Sequence, residues 1–301
     1  MIYIFFAIFH SLISKDHLNG FVKSDCPGKP SEDFFYITED TAFTSDSKYY
    51  GCDLAPNKRT GGASCIVQVY SSVFKGIVNE NINGGAIYIK FIAKTTVTGQ
   101  CIINDCKFIE CKGLNGGGVY YEGIKRDTLS FDLFGCTFQD NNAIESGGAI
   151  NFIVVSANVS NCTFINNICN GNGLDIYFKC AEKKSGVESF DPLKIQYCVF
   201  ERSLKDVVKP LFYLDWITDL TDFVFSYNNI TVPNLDASQR IYLFGISLSS
   251  TKGGTFVAES NVISPSTSYV ANAESEVLRK INVSISFIDS PNQPPPDVPE
   301  G

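Results

Sequence analysis

Apolar and polar residues alternate along this chain in short runs with a period of two, not the helical spacing of about 3.6. Ile87, Ile89 and Phe91 share one face of such a run, and Tyr88 and Lys90 share the other. The same parity makes Val119 and Tyr121, Ile150, Phe152 and Val154, and Ile176 and Phe178 inward residues. The pattern predicts short half-buried β-strands and disfavours helical repeats.

Two motifs punctuate the strands. A glycine pair and a small residue open GGASCI at Gly61, GGAIYI at Gly84, GGGVYY at Gly116 and GGAINF at Gly147, with a weaker GLDIYF at Gly173; the starts lie 23, 32, 31 and 26 residues apart. Between them runs cysteine, any residue, phenylalanine, at Cys106, Cys136, Cys162 and Cys198, spaced 30, 26 and 36 residues. Phe138 to Asn141 and Phe164 to Asn167 extend this to Phe-x-x-Asn; Phe225 to Asn228 keeps the asparagine without the cysteine, and after Phe108 the position holds Cys111. A unit of about 25 to 35 residues is too small to bury an apolar face alone, so copies must stack. Glycine pairs supply positive φ or close backbone approach at sharp corners. The expected fold is all-β, a right-handed parallel β-helix or solenoid. A propeller, with about 40 to 50 residues per blade and aromatic signatures, fits less well with one tryptophan, Trp216.

The alternating GGAI and FxxN motifs over residues 61 to 230 resemble the repeats of the polymorphic outer membrane protein family, and similar proteins are displayed on some parasitic protists. The resemblance implies a right-handed β-helix passenger used at a cell surface for adhesion or antigenic variation. Bacterial members also carry a C-terminal membrane barrel. Nothing after Ser250 has the repeated ten-residue strands of a barrel, so the protist type is the expectation.

Composition agrees with export. Eleven cysteines, twenty-four glycines and one methionine in 301 residues suit an exported β protein. Residues 1–14, MIYIFFAIFHSLIS, read as a signal peptide, although no basic residue precedes the apolar run. Sequons at Asn158, Asn161, Asn229 and Asn282 are glycosylation candidates compatible with a secretory route. The expected organisation is an N-terminal cap over 15–60, the β-helix over 61–250, a β-rich C-terminal cap over 251–289 and a proline-rich tail over 290–301. Localisation is expected to be secreted or cell surface, with membrane attachment only through an anchor not present in this chain. A formal charge of -8 opposes nucleic-acid or anionic-membrane binding.

Stacked strands lie about 4.8 Å apart, which puts Cys106, Cys136, Cys162 and Cys198 in one column. Disulfides 106 with 136 and 162 with 198, or a buried ladder of free thiols, both fit that spacing, since Cα separations of about 4.4–6.8 Å permit a bridge. A bridge among Cys26, Cys52 and Cys65 would staple the N-terminal cap. Asn141, Asn167 and Asn228 are read as corner residues whose stacked amides satisfy one another. On the outward face, Tyr88, Tyr120, Asn151 and Tyr177 form the candidate ligand-facing set, suited to a glycan or to a host-cell or matrix protein; the competing reading is that tyrosine simply suits strands.

Catalysis has little to work with. The two histidines, His10 and His17, sit in or beside the signal, and CxxC is absent, so no catalytic residue, cofactor or metal is assigned. Asp132 with Asp140, or Asp105 with Glu110, could meet as an acid and base or as a calcium site. The alternative function is therefore a polysaccharide lyase or glycoside hydrolase on the same scaffold. Glycine clusters open strands and lack GKS or GKT, so nucleotide binding has no support.

Overall fold

The computed structural model describes residues 34–37, 42–43, 50–54, 63–91, 97–123, 128–154, 156–180, 193–203, 209–216, 222–232, 243–248, 255–264 and 282–288. Every regular element among them is a β-strand, and long parallel sheets dominate. The first sheet stacks Phe34–Ile37, Ala63–Tyr70, Val97–Asn104, Thr128–Phe134, Asn158–Ser160, Leu193–Gln196 and Phe223–Ser226. A second stacks Ala42–Phe43, Val73–Lys75, Lys107–Ile109, Thr137–Gln139, Thr163–Ile165, Val199–Glu201 and Asn229–Thr231. Strand Thr255–Ser264 extends both, pairing with Phe223–Ser226 through its first half and Asn229–Thr231 through its second. The third sheet contains Tyr50–Leu54, Ile87–Phe91, Val119–Glu122, Ile150–Val154, Ile176–Cys180, Phe212–Trp216 and Phe244–Leu248. A shorter fourth holds Val78–Asn79, Lys112–Asn115, Asn142–Ser146 and Ile168–Cys169. The chain visits first, second and third sheets in that order seven successive times.

The inward parity read from the sequence holds. Ile87, Ile89, Val119, Tyr121, Ile150, Phe152, Val154, Ile176 and Phe178 are all buried. From the second sheet, Phe74, Phe108, Phe138, Phe164 and Phe200 form one column with ring centroids 4.7–5.2 Å apart and planes within 10°. Register explains the column: Phe74 pairs with Phe108, Phe108 with Phe138, and so on to Phe200. Burying each ring stabilises the stack by about 2–3 kcal/mol relative to exposure.

Corners carry the chemistry of the repeat. The residue before the first corner adopts a left-handed conformation in every described pass: Ser71, Asp105, Gly135, Asn161, Tyr197, Tyr227 and Ser260, with φ between 45 and 63°. The corner residue itself points inward, and its column reads Ser72, Cys106, Cys136, Cys162, Cys198, Asn228, Asn261, all buried. Asn228 therefore belongs to the cysteine column: the Cys198 N–H donates to Asn228 Oδ1 at 2.8 Å, and the Asn228 N–H to Asn261 Oδ1 at 3.0 Å. This corrects its assignment to the column of Asn141 and Asn167, which lies at the next corner, where the Cys111 N–H donates to Asn141 Oδ1 and the Asn141 N–H to Asn167 Oδ1. The two corners make the same backbone demands, so a Phe-x-x-Asn string satisfies either.

Two more expectations are corrected. The glycine pair at Gly61 leads into the first sheet, whereas those at Gly84, Gly116 and Gly147 lead into the third, so the interval of 23 is not a repeat length. The stack also passes the limits set at Gly61 and Ser250: Phe34–Ile37, Ala42–Phe43 and Tyr50–Leu54 pair with the strands that follow, and Asn282–Ile288 pairs with Thr255–Ser264. Ladder pairing is made by backbone hydrogen bonds, which these segments form without a glycine pair or CxF.

Glycines at 84, 116, 147 and 173 have φ of 67–74°. The glycines that follow the first three serve close approach instead: a Cβ on Gly85 would lie 1.9 Å from the Gly117 carbonyl oxygen, and one on Gly148 2.0 Å from that of Leu174.

Candidate functional site

Outward residues of the third sheet form two columns. The first reads Gly51, Tyr88, Tyr120, Asn151, Tyr177, Tyr213, Gly245 in strict register. Its rings stack in two pairs, Tyr88 on Tyr120 at 5.5 Å and 8°, and Tyr177 on Tyr213 at 5.6 Å and 4°. Asn151 separates them. The second column, two residues further along each strand, reads Lys90, Glu122, Ile153, Lys179, Asp215.

The columns are cross-linked into two similar modules. The Tyr120 hydroxyl donates to Glu122 Oε2 at 2.8 Å, which also meets Lys90 Nζ at 2.9 Å. Likewise the Tyr177 hydroxyl donates to Asp215 Oδ2 at 3.1 Å, with Lys179 Nζ 3.8 Å away. Burial, then the neighbouring carboxylate, pushes both hydroxyls well above the usual tyrosine range, so each remains a neutral donor.

The modules differ in access to their rings, not to their ion pairs. Tyr88, Tyr120 and Asn151 are only 7%, 5% and 3% exposed, which corrects the expectation of an open tyrosine face along its whole length. A lateral network from the fourth sheet and its turns borders this half: Asn151 Nδ2 donates to Ser146 Oγ, Ser146 Oγ to Asn115 Oδ1, and Asn115 Nδ2 to both Asn83 Oδ1 and Glu145 Oε2. Beyond Ile168–Cys169 the fourth sheet has no further described strand. Tyr177 and Tyr213 are half-buried there, as are Lys179 and Asp215. Lys90 and Glu122 are half-buried like Lys179 and Asp215, so the place where accessible rings and charged groups coincide is Tyr177, Lys179, Tyr213 and Asp215. Sequence reasoning found only the first, because the FYLDW strand lacks a glycine pair; its alternation and aromatic content were the available signal. No family model, curated protein or solved structure matches this chain.

The ladder cysteines Cys106, Cys136, Cys162 and Cys198 are buried free thiols, as are Cys101, Cys111 and Cys169, so disulfides do not form among them. In-register residues of a parallel sheet project in one direction, whereas a disulfide turns its two sulfurs toward each other. Each sulfur instead reaches back one pass to a carbonyl: Cys106 to Val69, Cys136 to Ile103, Cys162 to Leu133 and Cys198 to Val159, at 3.6–3.7 Å. Burial pushes the Cys136, Cys162 and Cys198 thiols well up, while a hydrogen bond with Cys136 pulls Cys106 down. Cys26 and the side chains of Cys52 and Cys65 lie outside the described residues.

A charged cluster escaped the sequence reading. Asp175 and Arg202 are buried, with Arg202 Nη1 3.8 Å from Asp175 Oδ2. Asn167 Nδ2 donates to Asp175 Oδ1, and Arg202 Nη2 to the Asn167 carbonyl. Among the described residues, Arg202 Nε and Nη1 have no hydrogen-bond partner. Burial, opposed by Arg202 and then Asn167, pushes Asp175 up to about 6. The cluster sits where the asparagine column ends, and no local motif marks it.

Of the remaining candidates, Asn158 is exposed, Asn161 and Asn229 are half-buried, and the side chain of Asn282 lies outside the described residues, as do His10 and His17. Asp105 and Glu110 occupy the corners at opposite ends of strand Lys107–Ile109, and Asp132 and Asp140 are likewise separated by a corner and a strand. Among the described residues, no group of three His, Cys, Asp or Glu side chains is placed to hold a metal.

Proposed function

We propose that this chain is a right-handed parallel β-helix, exported to the cell surface or beyond, that works by presenting its outer third-sheet face to a glycan or to a host-cell or matrix protein. The handedness follows from the general rule that crossovers between parallel strands of one sheet are right-handed in about 98% of cases. The family resemblance and the apolar segment over residues 1–14 support export. The observation that carries the presenting role is the half-buried module of Tyr177, Tyr213, Lys179 and Asp215: stacked rings with a fixed hydroxyl, cation and carboxylate on a rigid sheet. Such a surface offers apolar area and oriented polar groups at low entropic cost.

The test is binding of the purified full chain to a glycan array and to cultured host cells and matrix proteins, beside a Tyr177→Ala, Tyr213→Ala double variant. The expected result is binding that falls at least about tenfold in the variant, equivalent to about 1.4 kcal/mol, with unchanged circular dichroism. Undiminished binding would sink the assignment of this face. Release of shortened or unsaturated oligosaccharides from a bound polysaccharide would establish a carbohydrate-active enzyme instead.

A further inference from the structure

The left-handed corner column holds residues suited to positive φ, with two exceptions. Ser71, Asp105, Gly135, Asn161 and Ser260 are small or carry short polar side chains, but Tyr197 and Tyr227 take φ of 56 and 58°. A bulky residue there costs of order 1 kcal/mol more than glycine or asparagine. Their rings stack at 5.2 Å and 6°, and Tyr227 is 39% exposed. The fold needs a left-handed residue at this corner, not a ring, so sheet geometry does not account for two aromatic side chains in succession.

The neighbour one pass earlier is Asn161, whose N–H donates to the carbonyl of Gln196, beside Tyr197. Asn161 opens the sequon Asn161-Cys162-Thr163. Its side chain makes no hydrogen bond to a described residue, whereas Asn166, its counterpart at the second corner, accepts from Ser203. On the far side of Asn161 the column holds Gly135, which has no side chain. In-register side chains project alike, so the face of Tyr197 turned away from Tyr227 looks toward Asn161. A pyranose on Asn161 Nδ2 would lie one rung from that face, about 4.8 Å away, the distance at which the rings of this protein stack.

We propose that Asn161 is an N-glycosylation site whose first N-acetylglucosamine packs on the free face of Tyr197, extending the Tyr197–Tyr227 stack by one layer. The inference rests on the export proposed above. It distinguishes Asn161 from Asn158, whose in-register neighbours are Asp132 and Lys194, and from Asn229, whose neighbours are Val199 and Val262.

The experiment secretes the full chain from a eukaryotic host, maps all four sequons by glycopeptide mass spectrometry, and compares thermal melting before and after enzymatic trimming. Three forms are compared: the natural sequence, Tyr197→Phe, and Tyr197→Asn, which suits the left-handed corner and removes the ring. Asn161 is expected to be occupied. Trimming to one N-acetylglucosamine should preserve the melting temperature, and complete removal should lower it by about 2 °C or more. That loss should persist in Tyr197→Phe and vanish in Tyr197→Asn. An unmodified Asn161 beside an occupied Asn158 or Asn229, or an equal loss in Tyr197→Asn, overturns this assignment alone. A chain bare at every sequon overturns both it and the export reading.

Discussion

Cysteine and asparagine are interchangeable at the corners because both meet the same two backbone demands. Asn228 Nδ2 donates to the Ile195 carbonyl at 3.0 Å, the counterpart of the Val159 carbonyl reached by the Cys198 sulfur. The amide also accepts the N–H of the preceding corner, as Asn228 does from Cys198. Cys198→Asn should therefore change stability by less than about 1 kcal/mol, whereas Cys198→Leu, which removes the donor, should cost about 2 kcal/mol or more in urea unfolding. Asn167 has more to lose. Its side chain donates to Phe138 and Asp175 and accepts from the Asn141 backbone and side chain. Asn167→Leu strands several buried polar groups at once and is expected to cost at least about 3 kcal/mol by the same measurement; unchanged melting would contradict the ladder.

At the scale of elements, the turn from the fourth sheet into the third leaves no room for a side chain at its second glycine. Gly85, Gly117 and Gly148 lie against the backbone of the next pass, and a backbone atom cannot swing aside as a side-chain end can. Gly148→Ala should lower stability by more than about 3 kcal/mol or abolish folding, seen as loss of the cooperative thermal transition. A substitution on the open outer face, such as Lys179→Ala, should cost under about 1 kcal/mol, since its ion pair is partly solvated. The third-sheet strands themselves were legible because alternation and the glycine pair coincide at Gly84, Gly116 and Gly147. The strand Phe212–Trp216 was not, since only alternation marks it, and the cooperation of Tyr213 with Tyr177 depends on register across 36 residues.

For the whole molecule, the buried pair of Asp175 and Arg202 couples stability to pH. Asp175 is raised from 3.8 to about 6, so the folded state holds its proton more tightly than the unfolded chain. Its contribution therefore favours folding below the unfolded value and declines as pH rises through the window from about 4 to 6. Removing the counter-charge with Arg202→Met leaves an ionised carboxylate unpaired at pH 7.5, an expected cost of about 3–5 kcal/mol. At pH 5 the carboxyl is protonated and the loss should be smaller. Denaturant titrations at the two values check this, and an equal loss at both would show that Asp175 is not the group responsible.

By itself the sequence determined the class of structure, because period-two alternation and recurring corner motifs are local properties that each strand carries within itself. It also singled out the inner face, the corner asparagines and the column of four cysteines, for the same reason. Tertiary structure alone decided which corner each motif fills, since both corners accept an amide or a thiol, and only pairing separates Asn228 from Asn141. It decided that the thiols stay free, because direction across the stack, not spacing, governs disulfide formation. It also decided which tyrosines remain accessible, because the fourth sheet borders Tyr88 and Tyr120, and its last described strand is Ile168–Cys169. Asp175 and Arg202, 27 residues apart, meet only when successive passes of the chain are laid side by side.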